Sequence, residues 1–275
     1  MKEKIEFRIR IYLAAFAVLL SAGVSGFMFI EKMSFVDAIY FSIVTMATVG
    51  YGDIHPQTEI GKILTLLIII GGVGTFLGVI ASITDFFVNR REQALKQQKI
   101  DMVTGLFFSE MGNGLLKRLI RFDPEIESLY RILRISEKWE KEDFIGAFKL
   151  LKKQKFSIDS GKSDILALLK YLQNSADFLL RLLENPIIQE HARFTELLRA
   201  LFHLRDELLN RNDLFELLDS DRKHLEGDIA RVYKLLVFEW LRYIRYLQKS
   251  YGYLFSLAIR VNPFDPDATA VVKNA

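Results

Sequence analysis

Two stretches without a charged residue, Ile11 to Ile30 and Ile63 to Thr84, constrain this chain more than any other feature. Each is on the order of 20 residues long, and at about 1.5 Å per helical residue each can cross a hydrocarbon layer of roughly 30 Å. Both read as membrane-crossing helices. A cleaved leader competes with the first and a buried core helix with the second, but a leader has a shorter apolar stretch and an Ala-x-Ala-like cleavage site that Ile11 to Ile30 lacks. Lys2, Lys4, Arg8 and Arg10 precede the first span, and Arg90, Arg91, Lys96 and Lys99 follow the second. Only Lys32 and Lys62 lie between them. This asymmetry predicts a multi-pass protein of the cell membrane with cytoplasmic N and C termini, and an external connection from Glu31 to Lys62.

A hydrophobic fraction of 51% beside 26% charged residues fits neither one soluble domain nor a pure membrane bundle, and predicts a hybrid of the two. The net charge of +3 is too small to drive capture of nucleic acid. With no Cys in the chain, disulfides, thiolate metal sites and cysteine nucleophiles are excluded.

The external connection carries more than a loop. Phe35 to Thr45 is apolar and aromatic, Ser34 can cap it, and Asp37 lies in its first turn, so it reads as a helix too short to cross. Thr48-Val49-Gly50-Tyr51-Gly52-Asp53 follows at once, and His55-Pro56 ends the element. Non-helical backbone at membrane depth is tolerated only where it lines a cavity or binds something.

Thr48-Val49-Gly50-Tyr51-Gly52, placed between a short helix and a Gly-bearing span, resembles the selectivity filter of the potassium channels, in particular their two-span prokaryotic members. The resemblance implies carbonyl coordination of dehydrated K+ at Thr48, Val49, Gly50 and Tyr51. It also implies a homotetramer, since one strand alone cannot replace a hydration shell. Gly50 and Gly52 can take positive φ without a Cβ penalty, which lets consecutive carbonyls face one axis. Tyr51 sides with potassium, because related non-selective channels carry Asp there. Tyr40 and Phe41 match aromatics that support the filter, with anchoring at the membrane interface as the alternative. Asp53 follows the filter. Val44 departs from the pattern, standing where some members have a carboxylate bonded to that Asp.

Gly71-Gly72-Val73-Gly74 interrupts the second span, at about 1 kcal/mol per Gly relative to Ala. Two compatible readings stand. Gly74-xxx-Gly78 and Ala22-xxx-Gly26 suit close helix packing in lipid, while resemblance to the pore-lining helix of ligand-gated relatives makes Gly72 a hinge. Counting along one face from Gly72 places Val73, Phe76 or Leu77, Ile80 and Thr84 toward the pore, where apolar side chains close it by dewetting.

Residues 1–99 are thus read as the pore domain and residues 100–275 as a cytoplasmic domain. Helical periodicity recurs in the latter from Asp123-Pro124, from about Glu142, from Asp164 to Leu183, from Ile188 to Leu209 and from Asp219 to Leu247, which predicts an all-α regulatory domain. The strands and glycine fingerprints of nucleotide-binding domains are missing, so no cofactor is expected, and the regulator is an unidentified small molecule or ion. His203, Asp206 and Glu207 share a helical face that could bind metal, although such a trio is more often a solvated charged face. Asp221-x-x-His224 is a single half of a di-iron pattern, and His191 beside Glu190 reads as surface. Trp240, Tyr243, Tyr246, Tyr251, Tyr253 and Phe255 read as domain core or subunit interface, with a ligand pocket as the lesser alternative, and the tail after Asn262-Pro263-Phe264-Asp265-Pro266 as loose. No catalytic motif stands out. The expected fold is all-α: a two-span tetrameric pore module followed by a helical domain, acting as a potassium-selective channel in the lipid bilayer. The alternative is a membrane-tethered receptor or scaffold whose pore is vestigial.

Overall fold

Backbone hydrogen bonds in this chain are overwhelmingly those of helices, as its apolar periodicity requires, and a computed structural model describes residues 2–214 and 216–271. Among the described residues every regular element is a helix. The chain divides into two units, Met1–Leu95 and Lys96–Ala275.

In the first unit α1 (Lys2–Ile30) and the start of α3 (Glu59–Phe107) are long and apolar enough to cross a membrane. Between them lies the short α2 (Phe35–Met46), whose N-cap Ser34 accepts a hydrogen bond from the Asp37 amide at 3.1 Å. A small core joins the three: Phe27 meets Phe41 edge to face at 4.9 Å, and Val24, Ala38, Met46 and Ile68 are buried around them. Gly26 and Gly78 let helices approach, since a Cβ would lie 2.4 Å from a Leu64 methyl and 2.7 Å from the Tyr12 ring respectively. Gly74 has nothing among the described residues within 4 Å of such a Cβ, so only part of the small-residue pattern is used in packing within the chain.

The second unit is built on α11 (Asp219–Ser250). Its Leu225, Ile229, Val232, Leu236, Trp240, Ile244 and Leu247 recur at helical spacing and are buried. They pack with the end of α3, α4 (Asn113–Leu119), α5 (Ile126–Leu133), α6 (Lys141–Lys153), α7 (Ile165–Asn174), α8 (Ala176–Glu184), α9 (Pro186–Gln189), α10 (Ala192–Leu209) and α12 (Gly252–Arg260). A π turn, Phe108–Gly112, joins α3 to α4. It lies beside two aromatic contacts: Phe107 sits edge to face on Phe194 at 5.2 Å, and Phe108 stacks on Tyr243 at 4.9 Å.

The structure corrects several boundaries. The stretch from Asp164 to Leu183 is two helices, because Ser175 leaves helical geometry and its hydroxyl donates to the Tyr171 carbonyl at 2.9 Å. The stretch from Ile188 to Leu209 is broken as well: Pro186 opens the short α9, and His191 caps α10 by accepting from the Phe194 amide at 3.3 Å. His191 is therefore a half-buried capping residue rather than a surface one. The segment from Asn262 to Pro266 is packed in place, and the tail after it, expected to be loose, is held at Asp267 by Arg134 and at the Ala270 carbonyl by Arg260. Asn262 donates to the Leu133 carbonyl at 2.8 Å, Phe264 is fully buried against Trp240, and Arg134 pairs with Asp267 at 2.8 Å.

Trp240 is 1% exposed and touches Phe264 edge to face. Trp240→Ala is expected to destabilise the second unit by about 3–5 kcal/mol, read as a lower denaturation midpoint of the purified full chain.

Candidate functional site

The segment after α2 is held by α2 itself. The Thr48 amide donates to the Thr45 carbonyl at 3.1 Å, and the Val49 and Gly50 amides donate to the Val44 carbonyl at 3.0 and 3.3 Å. Donors are thereby used up while acceptors are left over: among the described residues no backbone amide donates to the carbonyl of Thr48, Val49, Gly50 or Tyr51. The backbone alternates in hand, with positive φ at Thr48 (60°), Gly50 (54°) and Gly52 (77°). Such alternation turns successive carbonyls toward one side. Two of these positions are the glycines that the sequence marks for it. Thr48 is the third, a β-branched residue held in the left-handed region at a cost of about 1–2 kcal/mol.

A row of carbonyls without donors is an electronegative surface that a dehydrated cation can satisfy. Val49 and Tyr51 project outward and are 51% and 72% exposed. Asp53 is not left loose by the absence of a carboxylate at position 44. The Tyr40 hydroxyl donates to its Oδ2 at 2.8 Å, while Phe41 packs inward on Phe27. Tyr40 and Phe41 thus occupy different places, one tethering the loop and the other filling the core.

A second anchor was not visible in the sequence. The Glu31 carboxylate, just beyond α1, accepts from the Gln57 amide at 2.9 Å, the Thr58 amide at 3.1 Å and the Thr58 hydroxyl at 2.5 Å. Thr58 in turn accepts from the Gly61 amide at 3.0 Å at the start of α3. Gly61 is needed there, because a Cβ would lie 1.7 Å from Glu31 Oε1. The Thr58 hydroxyl and the Gln57 amide hold the Glu31 carboxyl below the usual carboxylate range. Both ends of the connection are therefore tied down by side chains.

On α3, Gly72 is buried against α2, where a Cβ would lie 2.5 Å from Met46 Cγ. This is close packing, and it couples the second span to the base of the carbonyl segment. Val73 lies beside that segment, and Leu77, Ile80 and Thr84 are exposed on this chain. Phe76 instead turns toward Phe16 of α1, with ring centres 6.2 Å apart.

In the second unit a cavity of about 420 Å³ is lined by Asp101, Arg193, Glu239, Arg242, Arg245 and Lys249 among others. Arg242 donates to Glu239 at 2.5 Å. Burial pushes the Glu239 carboxyl up and the Arg242 guanidinium down. On α10, Asp206 pairs with Arg205 at 2.7 Å and leaves the trio expected from its helical face, whereas His203 and Glu207 meet His224 and Asp228 of α11.

Two helices long and apolar enough to cross a membrane, with a short apolar helix and a carbonyl-rich segment between them, define an ion-channel module, and residues 13–89 match the family model described as an ion channel. Residues 96–260 match a second model, described as the C-terminal helical domain of the uncharacterized protein MJ1433. The chain belongs to the MJ1433 family: it is 42% identical over 187 residues to the uncharacterized protein MJ1433 of Methanocaldococcus jannaschii, which covers 68% of this chain and 75% of that one. It is also 36% identical over 67 residues to the calcium-activated potassium channel slo-1 of Caenorhabditis elegans, which covers 24% of this chain and 6% of that protein. The chain is thus a membrane protein with an ion-channel domain followed by a helical domain.

Substitutions at two places test this geometry. Gly72→Ala adds a methyl against Met46 at about 1–3 kcal/mol, offset by about 1 kcal/mol of helix propensity. Combined with Met46→Ala it is expected to destabilise less than the two single effects added together, as thermal unfolding of the purified protein will show. Because the Glu31 carboxyl is held below its ordinary range, its stabilisation is present above that range and is lost as pH falls through the lowered value. Glu31→Gln is expected to lower stability at neutral pH and to flatten the acid side of the stability profile.

Proposed function

We propose that the chain forms a potassium-selective channel, a homotetramer in the cell membrane with both termini on the cytoplasmic side. The observation that carries this reading is the row of donor-free carbonyls at Thr48, Val49, Gly50 and Tyr51, set by alternating backbone hand. One such row offers a cation only one side of a coordination shell. Four copies around an axis replace the whole shell, and Thr48 adds its hydroxyl at the inner end. The similarity to a calcium-activated potassium channel over 67 residues supports the choice of ion.

The inner part of α3 is the gate in this reading. Val73, Leu77, Ile80 and Thr84 face the conduction path, and Gly72 is the point about which α3 bends. Phe76 packs on α1 and is left out of the pore lining. The helical second unit regulates the gate by binding a small molecule or ion better in one gating state than in the other. The reading as a tethered receptor with a vestigial pore has no specific observation in its favour.

Proteoliposomes holding the purified full chain are expected to pass K+ in preference to Na+. Gly50→Ala, which puts a Cβ on a residue at φ +54°, is expected to abolish that preference. Gly72→Pro is expected to change open probability in single-channel recordings and to leave the choice of ion unchanged. A purified assembly that passes no K+ under any condition, or whose mass is that of a dimer, overturns the proposal.

A further inference from the structure

Two helices of the second unit bring four potential metal ligands to one point. His203 and Glu207 stand one turn apart on α10, and His224 and Asp228 one turn apart on α11. Their four ligand atoms lie within 4.8 Å of one another. His203 Nε2 and His224 Nε2 are each 3.4 Å from Asp228 Oδ2, His224 Nε2 is 3.7 Å from Glu207 Oε2, and His203 Nε2 is 3.9 Å from Glu207 Oε1.

These spacings suit a central cation. Bonds of about 2.0–2.1 Å to nitrogen and oxygen in a tetrahedron put neighbouring ligand atoms roughly 3.3–3.4 Å apart. Asp228 supplies the independent sign of a ligand. It is 4% exposed, and its Oδ2, which faces both imidazoles, has no hydrogen-bond partner among the described residues. A buried carboxylate oxygen without a partner is costly, and a cation removes that cost. Its other oxygen lies 3.6 Å from Arg231, so the carboxylate is oriented with one oxygen free for the centre.

The surroundings orient the other acid. Arg211 donates to Glu207 Oε2 at 2.7 Å and to both oxygens of Asp221 at 2.6 and 2.9 Å. It fixes the orientation of the Glu207 carboxylate, as the outer partners of metal ligands do. Both histidines are about half exposed, which leaves a route in from solvent.

We propose that His203, Glu207, His224 and Asp228 bind one divalent first-row transition-metal cation, which clamps α10 to α11. Two imidazoles with two carboxylates favour Zn2+ or a neighbour of similar softness over Mg2+ or Ca2+, which take oxygen ligands. The proposal stands on the second unit alone and does not depend on ion conduction.

Its test uses the full chain purified in detergent, stripped with a chelator and titrated with Zn2+ by calorimetry. One Zn2+ per chain is expected, together with a raised thermal midpoint. Co2+ in its place is expected to give the strong visible absorption of a tetrahedral site. His224→Gln, at an exposed position, and Glu207→Gln are each expected to weaken Zn2+ binding by about 100-fold or more, since changes only to the groups that orient ligands already cost about 10–100-fold. Asp206→Asn, whose carboxylate pairs with Arg205 outside the cluster, leaves binding unchanged. Absence of stoichiometric binding, or equal affinity in the parent and the folded His203→Gln/His224→Gln double variant, overturns the proposal and leaves the four side chains as an ion-pair cluster.

Discussion

The structure of the first unit turns on an imbalance between backbone donors and acceptors. In the segment after α2, the amides of Thr48, Val49 and Gly50 are spent on carbonyls at the end of α2, while the carbonyls from Thr48 to Tyr51 receive no backbone amide among the described residues. Water is scarce at membrane depth, so acceptors of this kind need another partner. Much of the rest follows from holding that imbalance in place. Ser34 fixes the start of α2, Tyr40 ties Asp53 on the far side of the segment, and Glu31 ties the connection to the first turn of α3. Gly72 lets α3 lie directly against Met46, so the second span touches the helix that carries the carbonyls.

The second unit solves a different problem, that of keeping charge inside a helical core. Glu239 is buried and paired with Arg242, two charges that burial opposes and that depend on each other. Asp228 is buried as deeply, yet among the described residues the oxygen facing His203 and His224 has no hydrogen bond. The proposed cation accounts for this second arrangement where a guanidinium accounts for the first.

Elements with a single strong local cause could be read directly from the sequence. Two long charge-free stretches cannot be confused with loops, and the order Ser34, Asp37 and a run of apolar residues marks α2 from its cap. Positive φ at Gly50 and Gly52 follows from the absence of a Cβ, but the same geometry at Thr48 does not, because only the surrounding chain imposes it. Breaks at Ser175 and His191 were hidden because the apolar period continues across them, and it is a side-chain hydrogen bond that interrupts the helix. The cluster of His203, Glu207, His224 and Asp228 was visible only in pieces. One helical face held His203 and Glu207, and His224 stood in the Asp221-x-x-His224 pattern, but Asp228 carried no signal and no spacing within one helix reveals which residue of another lies opposite. Glu31 and Gly61 carried no motif at all; their meaning exists only once α1 and α3 are side by side.

In the proposed homotetramer the carbonyls of four copies ring a shared axis and hold a bare monovalent ion. Anomalous diffraction from crystals of the full chain grown in Rb+ or Tl+ tests it most directly. The account predicts ion peaks in single file on a four-fold axis, encircled by the carbonyls of Thr48, Val49, Gly50 and Tyr51, and changed or lost when Na+ replaces them. Peaks away from any common axis, or carbonyls turned outward with no ion between them, would contradict it.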